Sequence, residues 1–197
     1  MHKNISSRVA YIISHIFNAP LFSVYLLPAI ISSEHLTSVG VLLTTAICIF
    51  TLLVMPTILI IYYKIKGKTD IFVSKHSDRP KFFIPALIGY ALGFILFYTL
   101  KMNILALYHL CYFTVTFSLF IVTLYWKISI HTAGVAGPVT MLALKFGYRY
   151  LILQLLLLPV GWARLKLHAH TLAQIAAGAI QSIAVTYLTV IFFNSCL

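Results

Sequence analysis

Long apolar runs separated by short polar islands organise this 197-residue chain. Residues 9 to 31 form a first run, interrupted by Pro20 and Pro28, and residues 39 to 63 form a second that is almost purely apolar. Lys64 to Lys81 is the longest polar stretch and is strongly basic. Residues 82 to 126 are apolar again except at Lys101, Met102 and Asn103. A helix crosses a bilayer in roughly 20 residues, so one helix over this whole run would be far too long. Lys101 to Asn103 therefore predicts the turn of a helical hairpin.

A second polar island covers residues 127 to 137 and a third covers 164 to 170, ahead of a last run over 171 to 193. The segment between these islands carries Lys145, Gly147 and Arg149 in its middle. A charge at the centre of a spanning helix costs about 2.5–3.5 kcal/mol on insertion scales. The segment is thus expected to split into two short helices, about 130 to 146 and 150 to 163, joined by a turn at Phe146, Gly147 and Tyr148. The pattern predicts an all-α polytopic transmembrane bundle of about six to seven helices in one integral membrane domain, residues 1–197. Two crossings then separate each island from the next, so all three islands emerge on one membrane face.

Composition sharpens this picture. Hydrophobic residues make up 61% and charged residues 9%, against roughly 25% charged in a soluble domain. Such a chain cannot cover its apolar surface in water. Met1 to Arg8 is polar, and no small-residue cleavage site follows, so no cleaved leader is expected. The net charge of +11 does not predict nucleic-acid binding, because the aromatic residues lie inside apolar runs rather than interleaving a basic patch. All Lys and Arg residues except Lys101, Lys145 and Arg149 fall on the island face, Lys3 among them. The positive-inside rule makes that face lean cytoplasmic. Glu34, Asp70 and Asp78 are the only acids, too few for a carboxylate-caged metal. Cys48, Cys111 and Cys196 have no CxxC spacing and predict no disulfide framework.

The islands carry the candidate chemistry. His170 and Gln174 share one helical face, and an imidazole whose second nitrogen is held by an amide is a poised nucleophile. Arg164 upstream would hold an anion beside it. Taken alone, this spacing also fits an ordinary interfacial helix start, and His168 competes from another face. Ser129 and Thr132 open a helix whose unpaired N–H groups suit a phosphoryl oxygen, although both are also plain N-cap residues. His131 could protonate a leaving oxygen, while Gly134 and Gly137 would let a neighbouring helix approach closely. Lys75 and Arg79 supply phosphate contacts or, equally, a solvated basic loop over anionic headgroups. Asp78 would orient Arg79 or a histidine, or cap the next helix. His109, inside an apolar run, is expected to make an interhelical hydrogen bond. His15 and Asn18, one turn apart, could line the same cavity.

In order and together, the islands resemble those of type 2 phosphatidic acid phosphatase (PAP2) membrane enzymes, over about residues 75–185. Lys75, Arg79 and Pro80 resemble the first motif, Ser129 and His131 the second, Arg164 and His170 the third. The stretch Ile12 to Pro20 resembles the first span of a bacterial branch, whose first motif Asp78, Arg79 and Pro85 match, with Phe82 in place of a second arginine. Ile130 stands where glycine is usual, Ala163 where serine is, and Gln174 replaces an aspartate. The resemblance implies a PAP2-like core and a metal-independent, cofactor-free phosphatase acting on a lipid phosphate or diphosphate in the bacterial inner membrane. It also implies a phosphohistidine on His170, with His131 as acid and Arg79, Arg164, Ser129 and Lys75 as phosphate contacts. Gln174 keeps a second expectation open, a non-catalytic protein that binds or transports a lipid phosphate.

Overall fold

A computed structural model describes residues 5–73 and 75–195. Lys3 and Cys196 lie outside the described residues. All regular structure among those described is helical. Four stretches are long and apolar enough to cross a membrane: Ser38–Ile65, His76–Thr99, Asn103–Tyr125 and Leu172–Ser195.

The first apolar run is not one helix. It starts earlier than its hydropathy suggests and divides into α1 (Ile5–Ile16), α2 (Ala19–Tyr25) and α3 (Leu27–Ile31). The breaks follow local chemistry. Asn18 caps α2 by accepting the Leu21 N–H at 2.9 Å, and Pro20 and Pro28 each occupy a first-turn position, where a missing N–H costs nothing. The second run is continuous: α4 (Ser38–Ile49), a π-helical turn (Phe50–Val54) and α5 (Met55–Ile65). The wide turn comes just before Pro56, which cannot donate to the carbonyl one turn back.

Helices α6 (Arg79–Thr99) and α7 (Asn103–Tyr125) form the expected hairpin. The turn at its tip puts Lys101 in the left-handed region at φ 59. Glu34 accepts the Leu105 N–H at 3.2 Å, so one of the three acids serves as a remote cap for α7. His109 behaves as expected of a core histidine. Its Nδ1 lies 2.9 Å from the Leu105 carbonyl, which can only accept. Its Nε2 therefore accepts from the Thr51 hydroxyl, also at 2.9 Å.

Helix α8 (Ile130–Phe146) ends at Gly147, whose φ of 107 only glycine adopts readily. The chain returns as a 3₁₀ helix (Tyr148–Leu156) followed by α9 (Leu157–Lys166). The expected split and turn are present, but the return begins as 3₁₀ rather than α. A 3₁₀ helix rises about 2 Å per residue against about 1.5 Å for α, so this short segment reaches further. Helix α10 (Leu172–Ser195) closes the bundle.

Every residue of α8 from Thr132 to Ala143 is buried. This helix runs through the middle, against α2, α7, α9 and α10. Small residues permit the approach. A Cβ on Gly134 would collide with Ala19 of α2, one on Gly137 with Ser182 of α10, and one on Gly178 with the Ser129 carbonyl oxygen. Large apolar side chains such as Leu92, Ile95, Ile121 and Leu188 stay exposed on the outside of the bundle. Tyr62, Tyr125, Trp126 and Trp162 ring one end of the bundle, and Tyr98 and Tyr148 lie at the other. Apolar sides with aromatic residues at both ends are what a bilayer requires, so the chain is read as a membrane protein.

Candidate phosphate site

Hydrogen bonds stitch the three polar islands together at one end of the bundle. Arg79, at the start of α6, donates from Nη1 to the Ile128 carbonyl at 3.2 Å, joining the first island to the second. The Ser129 N–H donates to the Gln174 carbonyl at 3.2 Å, joining the second to the first turn of α10, whose Gln174 side chain in turn holds His170 of the third. Thr132 reinforces this by donating to the Ile175 carbonyl at 2.9 Å. Arg79, His131 and His170 all line one cavity of about 630 Å³, together with His15, Asn18 and Lys64. The remaining wall is largely apolar and reaches Tyr90, Cys111 and Thr186 inside the bundle.

Both site arginines are buried, Arg79 at 4% and Arg164 at 2% exposure. A buried charge needs a partner or a ligand. Arg79 is held by main chain alone among the contacts described: Nε donates to the Val73 carbonyl at 3.0 Å and Nη1 to Ile128. Val73 takes φ 47 to present that carbonyl, a costly conformation for a β-branched residue. Carbonyl dipoles position the guanidinium without cancelling its charge. Arg164 is barer still, because its Nε and Nη1 are buried with no hydrogen-bond partner among the described residues. Its guanidinium lies 4.9 Å from the centre of the Phe72 ring, a cation–π contact.

His170 sits just before α10, which opens with Thr171 and Gln174 in a capping box. The Thr171 hydroxyl accepts the Gln174 N–H at 3.3 Å. Gln174 Oε1 accepts the Thr171 N–H at 3.1 Å in return. That N–H requires an acceptor, which identifies the atom facing His170 Nδ1 at 3.2 Å as the amide oxygen. The ring must therefore donate from Nδ1, leaving the Nε2 lone pair free. Burial first, then the charges of Arg79 and Arg164, lower the His170 pKa to about 3, partly opposed by the Gln174 bond. The ring is neutral at neutral pH. Lys127 is pushed below its ordinary value by burial and then by the same two arginines.

Comparisons with family models, with curated proteins and with solved structures found no match to this chain. What the site can do must therefore be read from its own atoms.

The other predicted residues fall unevenly around this group. His131 presses against the Ser14 backbone, and its Nε2 is buried without a hydrogen-bond partner. Ser129 is fully buried and acts as the N-cap of α8, its Oγ 3.5 Å from the Thr132 N–H. Its backbone N–H is already used by Gln174, so Ser129 shapes the site rather than facing the cavity. Lys75 is exposed and does not line the cavity. Asp78 pairs with Lys81 at 3.5 Å; it stands at the N-cap position of α6 but its side chain makes no capping hydrogen bond, so neither the capping nor the orienting role is seen. His168 is exposed, with φ 50, and does not compete with His170.

The acid within electrostatic reach of Arg79, Arg164 and Lys127 is instead Asp70. It accepts the Phe72 N–H at 3.0 Å, shaping the loop that delivers Phe72 to Arg164. Both acids belong to the same basic stretch, and the folding of that loop selects between them. The scarcity of acids was the one available signal for Asp70. Among the described residues, no three His, Cys, Asp or Glu side chains are grouped to hold a metal ion.

Proposed function

We propose that this protein is a membrane-embedded PAP2-like phosphatase that hydrolyses a lipid phosphate or diphosphate through a phosphohistidine. The observation that carries this reading is the meeting of a neutral, tautomer-fixed His170 with the buried Arg79 at the polar end of an apolar cavity, with a second buried guanidinium, Arg164, behind the cavity wall and within electrostatic reach of His170. On this reading the bundle is a PAP2-like core of six to seven helices. The lipid tail lies in the apolar part of the cavity and the phosphate at its polar end. The site face leans cytoplasmic in a bacterial inner membrane, on the distribution of Lys and Arg.

In the first step His170 Nε2 donates its lone pair to phosphorus, and the bond from phosphorus to the leaving oxygen breaks. When the leaving oxygen departs as an alkoxide, it takes the proton that a monoanionic substrate phosphate brings into the site, relayed through His131 Nε2. Arg79 and Arg164 stabilise the charge on the equatorial oxygens, preorganised by Val73, Ile128 and Phe72 before substrate arrives. As the ring becomes cationic, the Gln174 oxygen holds Nδ1–H. It offers a dipole where a carboxylate would offer a full charge. Water then attacks the phosphohistidine, passes a proton to His131, and releases phosphate with His170 neutral again.

Phosphate release from a lipid phosphate by purified protein in detergent, with a chelator present, tests this reading. The expected result is turnover that His170→Ala lowers at least 10³-fold, roughly the effect of losing a covalent nucleophile. Release that survives the substitution, or that requires a divalent metal, overturns it. Binding of the lipid without release supports the non-catalytic carrier instead.

A further inference from the structure

His15 and Lys64 line the same cavity as His131 and His170, yet the steps above leave both without a task. His15 stands in the last turn of α1. Its ring packs 4.4 Å from Tyr11 and 4.8 Å from Phe72, and Phe72 is the ring that carries the Arg164 guanidinium. One aromatic side chain thus sets the spacing of His15 and Arg164. Asn18 fixes the backbone beneath, donating to the His15 carbonyl at 2.9 Å while capping α2. Lys64, in the last turn of α5, stays exposed at the cavity. His15 is within electrostatic reach of both Lys64 and Arg164, so positive groups continue from the buried arginines outward.

The charge count favours a larger anion than one phosphate. Among the described residues, Lys64, Arg79, Lys127 and Arg164 gather with one acid, Asp70, a net of three positive charges. A phosphate monoester brings about −1.5 to −2 at neutral pH, and a second phosphate adds about one more charge. A single phosphate on Arg79 and Arg164 would also leave His15 and Lys64 facing empty space.

We propose that His15 and Lys64 form a second phosphate subsite, so that the preferred substrate is a lipid diphosphate. The terminal phosphorus lies at His170, and the phosphate next to the lipid lies on His15 and Lys64. This rests on the phosphatase reading above. His170 Nε2 forms a bond to the terminal phosphorus, and the bond from that phosphorus to the bridging oxygen breaks. The electron pair leaves with a lipid monophosphate, whose added charge Lys64 and His15 take up. Water then cleaves the phosphohistidine to inorganic phosphate. A monophosphate is a better leaving group than an alkoxide, so the step depends less on a proton from His131.

Farnesyl diphosphate and farnesyl monophosphate, compared as substrates of the detergent-purified protein, test the subsite. The wild type is expected to prefer the diphosphate at least tenfold in kcat/KM. His15→Asn and Lys64→Met are expected to reduce that preference about tenfold each. Equal losses on both substrates, or a wild type that prefers the monophosphate, overturn the proposal. A second readout does not need turnover. Inorganic pyrophosphate should raise the thermal midpoint of the wild type more than inorganic phosphate does, and the difference should shrink in both variants. If the wild type releases no phosphate, the phosphatase reading fails alone. The subsite then stands on a pyrophosphate preference that the variants lose, and falls if the two anions stabilise every protein equally.

Discussion

A histidine beside two arginines must resist protonation before its ligand arrives and tolerate it afterwards. The surroundings of His170 provide both. Burial and the Arg79 and Arg164 charges lower its pKa to about 3, while Gln174 fixes which nitrogen carries the proton. Between the ordinary histidine value near 6.5 and that lowered value, the unfolded chain binds a proton that the folded one does not. Stability from this group is therefore fully present above the ordinary value and declines as pH falls through the window. Nitrogen NMR of histidine-labelled protein at pH 5 should show His170 neutral with Nδ1 protonated. Adding orthovanadate should move its titration upward, because the anion offsets the arginine charges. A ring already cationic at pH 5 without ligand contradicts this account. The pairing of His170 with Gln174 was legible from a four-residue spacing. The capping box was also present in sequence as Thr171 and Gln174, but only the traced bonds show one oxygen serving both the helix and the ring.

At the level of elements, α8 explains most of what the hydrophobic pattern could and could not reveal. A helix buried on every side has no polar face, so periodicity alone does not orient it. The charges of Lys145 and Arg149 located its end, and Gly147 supplied the turn. What the pattern could not show was which neighbours α8 would touch. Gly178 decides one of these contacts, because it lets α10 lie against the Ser129 carbonyl. Gly178→Leu should drive the second and third islands apart and destabilise the fold by about 1–3 kcal/mol, the usual cost of overpacking. A lower thermal midpoint in detergent, with a larger fractional loss of phosphate release, is the expected result. An unchanged midpoint would mean that α8 and α10 do not pack through this glycine. The first run shows the opposite case. Its hydropathy suggested one span, but Asn18, Pro20 and Pro28 impose breaks, and the break at Asn18 clamps the His15 backbone at the cavity.

Across the whole molecule, the hydrogen bonds from Arg79 to Ile128, from Ser129 to Gln174 and from His170 to Gln174 hold all three islands at one end of the bundle. Single-cysteine variants in vesicles, on a background with Cys48, Cys111 and Cys196 replaced, put that arrangement in a membrane. Lys66→Cys and Lys166→Cys should react with an impermeant maleimide from the same side, and Lys101→Cys and Tyr148→Cys from the other. Labelling of Lys66→Cys and Lys166→Cys from opposite sides would separate the islands and remove the proposed site. The basic composition gains a second meaning at this scale. Some of the cations contribute to topology, but Arg79 and Arg164 are buried with one acid, Asp70, within electrostatic reach of both, a local demand for an anion that the count of +11 cannot express.

The sequence by itself determined that the chain is helical and lipid-facing, where its polar islands fall, and which of their side chains can do chemistry. These properties depend on composition and on spacing within one helix or turn, where neighbours in space are neighbours along the chain. Tertiary structure alone decided that Asp70 rather than Asp78 serves the arginines, that Lys75 and Ser129 stay off the cavity wall, and that His15 and Lys64 reach it. Each of those outcomes turns on how a loop or a broken helix crosses elements distant in sequence. A shift of a few ångströms there exchanges a solvated charge for a buried one, and no local pattern records that choice.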